Sequence, residues 1–202
     1  LIPKTIHQIW LGRLDARPPR ITAAMARIEE VFSDYTHRLW TEADFESLDI
    51  ERYARIRPYS ALSDLMRYRI LLLHGGWYLD VDCEPLGENP TLPREARVFV
   101  PDMAGKNLAT AAFLGGIPGL PLYRDAAGAC MAAFDAVIEG RPAGGNLFQT
   151  VGPKMLWRLC RRHRVHLRRW QRWMANVHPD SPLIHRHLSS WQGEHIHLEE
   201  VP

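Results

Sequence analysis

Asp80 and Asp82 are the residues whose type and spacing most directly suggest chemistry. They stand at alternate positions of Trp77-Tyr78-Leu79-Asp80-Val81-Asp82, and alternate side chains of a β-strand share a face. A strand through this stretch puts Tyr78, Asp80 and Asp82 on one side and Trp77, Leu79 and Val81 on the other. Carboxylates delivered together raise each other's pKa by like-charge repulsion, which a bound cation or nearby basic groups relieve. Hard oxygen ligands suit Mg²⁺ or Mn²⁺, ions that commonly bind through one or two carboxylates together with substrate phosphates. Asp-x-Asp is also a common tripeptide at a strand end that is merely solvated, and spacing alone leaves both readings open. Upstream, Asp64 and Arg67 lie three apart and share a face of a helix. Leu62, Leu65, Met66, Ile70, Leu72 and Leu73 supply its buried side, and Gly75 ends it.

The wider context resembles glycosyltransferase family 32. The residues that carry the likeness are Ser63-Asp64-Leu-Met-Arg67-Tyr68, then Gly75-Gly76-Trp-Tyr78-Leu79-Asp80-Val-Asp82. The opening Ile2-Pro3-Lys4-Thr-Ile6-His7-Gln8-Ile9-Trp10-Leu11-Gly12 is similar to the family's first strand, and Ile184-His185-Arg-His187-Leu-Ser-Ser190-Trp191 to its closing element. The family includes yeast-type α-mannosyltransferases, bacterial capsule and lipopolysaccharide sugar transferases and, distantly, the clostridial glucosylating toxins. The resemblance implies a GT-A architecture: an α/β fold with a mostly parallel, Rossmann-like sheet flanked by helices. It implies transfer of a hexose from a UDP- or GDP-sugar to a saccharide or lipid-linked saccharide, with retention at the anomeric carbon, in surface polysaccharide synthesis. The same likeness assigns the Mn²⁺ or Mg²⁺ ion to Asp82 and Asp80, with His185 completing the metal shell and His187 as its substitute. Trp10 would stack on the base, Asp64 and Arg67 would grip sugar hydroxyls, and Tyr78 would touch sugar or phosphate. Asn107 and Gly115 would lie near the donor sugar, and Ser190 and Trp191 would fold over the diphosphate. A nucleotide-sugar-binding module without turnover and a nucleotide-sugar hydrolase are the alternatives.

Composition bounds the rest. With 202 residues, 46% of them hydrophobic, the chain can bury one sizeable core. One domain over 1–202 is expected, with the donor-binding half in 1–100 and the acceptor side and closing lid in 101–202. A net charge of +2 gives no reason to expect nucleic-acid binding. Cys83, Cys130 and Cys160 are odd in number and widely spaced, as reduced thiols in a cytoplasmic setting would be. No apolar run approaches a membrane span, and no charged leader with an apolar core precedes the first strand. The run 157–173 mixes arginines with Trp157, Trp170 and Trp173. That composition suits peripheral contact with an anionic membrane and equally suits an ordinary solvated helix face.

Along the chain, alternation predicts strands over Thr5–Leu11 and Tyr35–Trp40, and helical periodicity runs from Ile21 to Phe32. Thr41 with Asp44 is spaced as a capping signal for a short helix burying Phe45, Leu48 and Ile50. Strands are expected over Arg97–Val100 and Ala109–Leu114, the second closed by a turn at Gly115-Gly116. A further helix is expected over Pro121–Glu139, and Gly152-Pro153 opens another.

Overall fold

The computed structural model describes residues 1–85, 90–102, 108–169, 183–185 and 195–199. In chain order its strands and helices are β1 (Thr5–Ile9), α1 (Pro19–Val31), β2 (Thr36–Trp40), β3 (Ile56–Arg57), α2 (Tyr59–His74), β4 (Gly76–Leu79), β5 (Cys83–Pro85), β6 (Val98–Phe99) and β7 (Pro101–Asp102). They continue with β8 (Phe113–Gly116), α3 (Pro121–Ile138), α4 (Leu147–Thr150), α5 (Pro153–Arg162), β9 (Arg168–Arg169), β10 (Leu183–His185) and β11 (His197–Leu198). The main sheet has the order β2-β1-β4-β8-β6. β2, β1 and β4 are parallel, β8 runs against β4, and β6 runs against β8. Four of the five strands therefore point one way and the sheet is mixed, with β8 reversed.

The alternation expected in β4 is what divides the core. Trp77 and Leu79 face a cluster with Ile2, Ile6, Phe99, Phe113, the α1 residue Ile28 and Phe32 just after that helix. Tyr78 faces the opposite cluster, which includes Leu114, Trp40, α2 and α3. Helices thus cover both faces. α2 is buried over most of its surface, and Asp64 and Arg67 are buried with it rather than on a solvated face. Leu73, expected in the core, is exposed, because a helix buried on most sides by sheet and α3 still turns one edge outward in its last turn.

His7 fastens this frame. Its Nδ1 accepts from the Trp40 indole N–H at 3.1 Å, which requires the neutral ring with the proton on Nε2, and Nε2 then donates to the Gly75 carbonyl at 3.0 Å. Burial lowers its pKa to about 4. Gly76 follows with φ +90°, and a Cβ there would stand 2.7 Å from the Thr5 carbonyl oxygen and 2.9 Å from His7 Nε2. The Gly-Gly pair is thus the place where β4 is drawn in against β1.

Two expectations need correction. The strand predicted over Ala109–Leu114 lies instead at Phe113–Gly116, and Ala109 takes part only in an isolated β-bridge to Asp102 while its N–H donates to the Pro153 carbonyl at 3.3 Å. Gly115 and Gly116 are strand residues; a Cβ on Gly115 would sit 2.6 Å from the Trp77 ring, so close approach rather than a turn demands glycine. The basic run 157–173 is also not one helix. α5 ends at Arg162, Arg164 has φ +53°, and residues 170–173 lie outside those described. Among the described residues no helix is long and apolar enough to cross a membrane.

Candidate active site

A cavity of about 320 Å³ opens beyond the carboxyl ends of the neighbouring parallel strands β1 and β4. Ligands of open α/β sheets bind at such strand ends. β1 delivers Trp10, which continues the ladder through its N–H to the Trp40 carbonyl at 2.9 Å. β4 delivers Tyr78 and Asp80. Because α2 runs back against β4, its first turns reach the same end, and Tyr59, Ser60, Ser63 and Arg67 line the cavity with Asp82. Pro18, Arg20 and Ile21, where α1 begins, form the remaining wall.

The two carboxylates do not arrive by strand alternation. β4 ends at Leu79, and residues 81 and 82 form a turn in which the Cys83 N–H donates to the Asp80 carbonyl at 3.0 Å. The turn brings Asp82 to the cavity that Asp80 also lines, so the sequence pairs them correctly for a reason other than the pleat.

Arg67 holds the acidic site together. Its Nε donates to the Ser63 carbonyl at 3.2 Å, Nη1 to the Ala111 carbonyl at 2.9 Å, and Nη2 to Ser63 Oγ at 2.7 Å. It pairs with Asp64 at 3.1 Å and Asp80 at 3.4 Å and lies over the Tyr78 ring at 4.6 Å. The planar fork uses every edge, which an ammonium could not reproduce. Tyr78 donates its hydroxyl to Asp80 Oδ1 at 2.6 Å, so it lines the cavity but commits its polar atom to the carboxylate. Asp64 stands behind Arg67, outside the cavity-lining residues. Burial raises the Asp64 pKa to about 7; Arg67 pulls it down, Asp80 pushes it up, and burial prevails. Burial works against the Arg67 charge, yet neighbouring Tyr78, Asp80 and Asp64 raise its pKa further.

The expected residues Trp10, Arg67, Tyr78, Asp80 and Asp82 are therefore gathered on one cavity. For His185 the backbone alone is described: it pairs with Cys83 across β10 and β5, one residue from Asp82. Asn107, His187, Ser190 and Trp191 lie outside the described residues. Tyr59 and Ser60 were not legible as site residues, although a tyrosine straight after Arg57-Pro58 at a helix start was a signal available to be read.

The donor set fits a hard divalent cation only in part. Asp80 and Asp82 provide two carboxylates on one cavity wall, the number such ions commonly take from protein when phosphates supply the rest. Among the described residues no group of three or more His, Cys, Asp or Glu side chains converges.

The mixed sheet with helices on both faces and a cavity at its strand ends is the GT-A fold of the solved glycosyltransferase domains it resembles. The structure resembles the PaToxG glycosyltransferase, with TM-score 0.55 and 16% identity over 80% of this chain and 70% of that one. It also resembles the ligand-free glycosyltransferase domain of the YGT toxin, with TM-score 0.58 and 10% identity over 83% and 79%. These likenesses bear on the fold alone. The family model described as a glycosyltransferase sugar-binding region containing a DXD motif matches residues 4–99, the stretch that holds the first-strand and Asp-x-Asp motifs. An uncharacterized glycosyltransferase of Acanthamoeba polyphaga mimivirus is 29% identical over 90 residues, 41% of this chain and 36% of that protein. Inositol phosphoceramide mannosyltransferase 3 of Schizosaccharomyces pombe is 33% identical over 98 residues, 45% of this chain and 26% of that protein. The chain thus spans between about a quarter and about a third of the length of these curated relatives.

Proposed function

We propose that this protein is a metal-dependent glycosyltransferase that moves a hexose from a UDP- or GDP-sugar to a hydroxyl of a saccharide or lipid-linked saccharide, with retention at the anomeric carbon. One observation carries the reading: Trp10, Arg67, Asp80 and Asp82, scattered in sequence, meet on a single cavity at parallel strand ends. The Trp10 indole N–H already donates to the Arg13 carbonyl at 3.2 Å, which leaves the ring its π faces to offer, as stacking on a base requires.

Asp82 and Asp80 would hold Mn²⁺ or Mg²⁺, with His185 as a further ligand. When bound, the ion supplies charge neutralisation at the leaving diphosphate. Tyr78 and Arg67 keep the Asp80 carboxylate in one orientation, Arg67 faces the donor's sugar hydroxyls, and Asp64, expected to grip them too, instead backs Arg67 from outside the cavity. Asp80 and Asp82 are the only carboxylates on the cavity wall among the described residues. With both engaged on the ion, no described carboxylate of the cavity wall is left as a covalent nucleophile. A same-face displacement, in which the departing phosphate takes the acceptor's proton, then accounts for retention.

A thermal-shift series with UDP-, GDP- and CMP-sugars, with and without Mn²⁺, tests donor binding, since a ligand of the folded state raises the melting temperature. GDP-mannose belongs in the series because the fungal relatives are named as mannosyltransferases. Asp82→Asn is expected to lower nucleoside diphosphate release in the presence of acceptor by at least about a hundredfold. Full turnover by that variant with the metal chelated would end the proposal. Donor cleavage whose rate ignores added sugar acceptors would replace it with a hydrolase.

A further inference from the structure

Three aromatic residues line the cavity, and the nucleotide reading gives roles to Trp10 and Tyr78 but none to Tyr59. Tyr59 lines it together with Trp10, and its Cε2 lies 3.9 Å from where a Cβ on Gly12 would stand, two residues beyond Trp10. Tyr59 is 39% exposed, whereas the other aromatics of α2 and β4, Tyr68, Trp77 and Tyr78, are buried. Beside it Ser60 Oγ is buried, lines the same cavity, and has no hydrogen-bond partner among the described residues.

An exposed tyrosine at the first position of a helix would ordinarily be loose, but this one is held. The Arg57 guanidinium lies over the ring at 4.2 Å and Nη2 reaches the hydroxyl at 3.4 Å. Arg57 lines a second, open cavity that shares Tyr59 with the first, and it is not among the residues lining the first. Arg57 is anchored by the Ala54 and Ile56 carbonyls at 2.9 Å and by an ion pair with Glu199. Glu199 belongs to the segment of β11, which pairs with β3 in the register His197↔Arg57 and Leu198↔Ile56. The backbone exchange is completed when the Glu199 N–H donates to the Arg55 carbonyl at 2.7 Å.

We propose that Tyr59 is a second aromatic wall of the donor cavity, stacking on the nucleobase that Trp10 receives, and that Arg57 positions its ring by tying it to the C-terminal strand. This rests on the nucleotide-sugar reading above. The ligand class is a nucleoside diphosphate. A base gripped from both sides is desolvated on both π faces, so each wall contributes to affinity, while the diphosphate end depends on the acidic pair alone.

The test compares UDP and GDP with inorganic pyrophosphate, each with Mn²⁺, by titration calorimetry on the full chain. Tyr59→Ala is expected to weaken the nucleotide that the wild type prefers on the order of tenfold and to leave pyrophosphate unchanged; Tyr59→Phe keeps nucleotide affinity. Arg57→Ala is expected to weaken the nucleotide severalfold in the wild-type background and not at all in the Tyr59→Ala background. Wild-type binding that Tyr59→Ala leaves intact overturns the inference, as does an equal loss of nucleotide and pyrophosphate, which would mean a collapsed site. Failure of the wild type to bind any nucleoside diphosphate overturns the donor reading first.

Discussion

Asp80 accepts from a tyrosine hydroxyl at 2.6 Å and stands 3.4 Å from a buried arginine, so its carboxylate is oriented before any ligand arrives. Hydrogen bonds to a charged group contribute about 1.5–3 kcal/mol, more than a neutral pair, and a ligand that needs that orientation gains the benefit. Tyr78→Phe removes the donor and keeps the ring beneath Arg67. It is expected to weaken nucleotide binding in Mn²⁺ about tenfold and to leave metal-free nucleotide binding unchanged. Equal affinities in Mn²⁺ would mean that Arg67 alone suffices to hold Asp80. The sequence could show that Asp64 and Arg67 share a helix face, because spacing determines that. It could not show that the face is buried, because depth depends on what the rest of the chain packs against α2.

β4 and β8 face each other with Trp77 opposite Gly115, and the indole lies across the glycine in a fully buried cluster with Phe99 and Phe113. Trp77 stacks on Phe113 at 5.5 Å and tilts against Phe99 at the same separation, so it has nowhere to retreat. Gly115→Ala is therefore expected to destabilise the fold by about 1–3 kcal/mol through overpacking, read as a lower urea midpoint with an unchanged slope. An unshifted midpoint would show that the indole can move after all. The same pair explains what was legible at this scale. α2, α3, the start of β4 and the Thr41–Asp44 capping box were readable because each carries its own periodicity or cap chemistry. Gly115-Gly116 was misread as a turn because a glycine required by a neighbouring ring looks the same in sequence as one required by a positive φ. The turn that carries Asp82 was hidden for a similar reason: Tyr-Leu-Asp-Val-Asp alternates whether or not the ladder continues.

Across the whole molecule, two buried titratable groups on the α2 side of the sheet pull stability in opposite directions with pH. His7 has its pKa lowered by burial from 6.5 to about 4, so between those values the unfolded chain takes up a proton that the folded chain refuses. Its contribution is present above 6.5 and is lost as the pH falls toward 4. Asp64 has its pKa raised by burial from 3.8 to about 7, so across that window the folded chain keeps a proton that the unfolded chain has released. Its contribution is present below about 4 and is lost as the pH rises through 7. Each slope is at most ~1.4 kcal/mol per pH unit, and between about 4 and 6.5 they oppose each other. Asp64→Asn should therefore make stability climb more steeply from pH 4 to 6.5 than in the wild type. His7→Gln, whose amide can still donate to the Gly75 carbonyl, should turn the profile downward over the same interval. Carboxylates elsewhere contribute equally to all three proteins, so urea midpoints of wild type and variants at matched pH isolate the two groups. Three parallel profiles would show that neither group is as isolated from water as the packing around His7 and Arg67 implies. If instead the profiles diverge, the same α2 face that buries Asp64 behind the active-site arginine is tied through Gly75 and His7 to the β1–β4 junction.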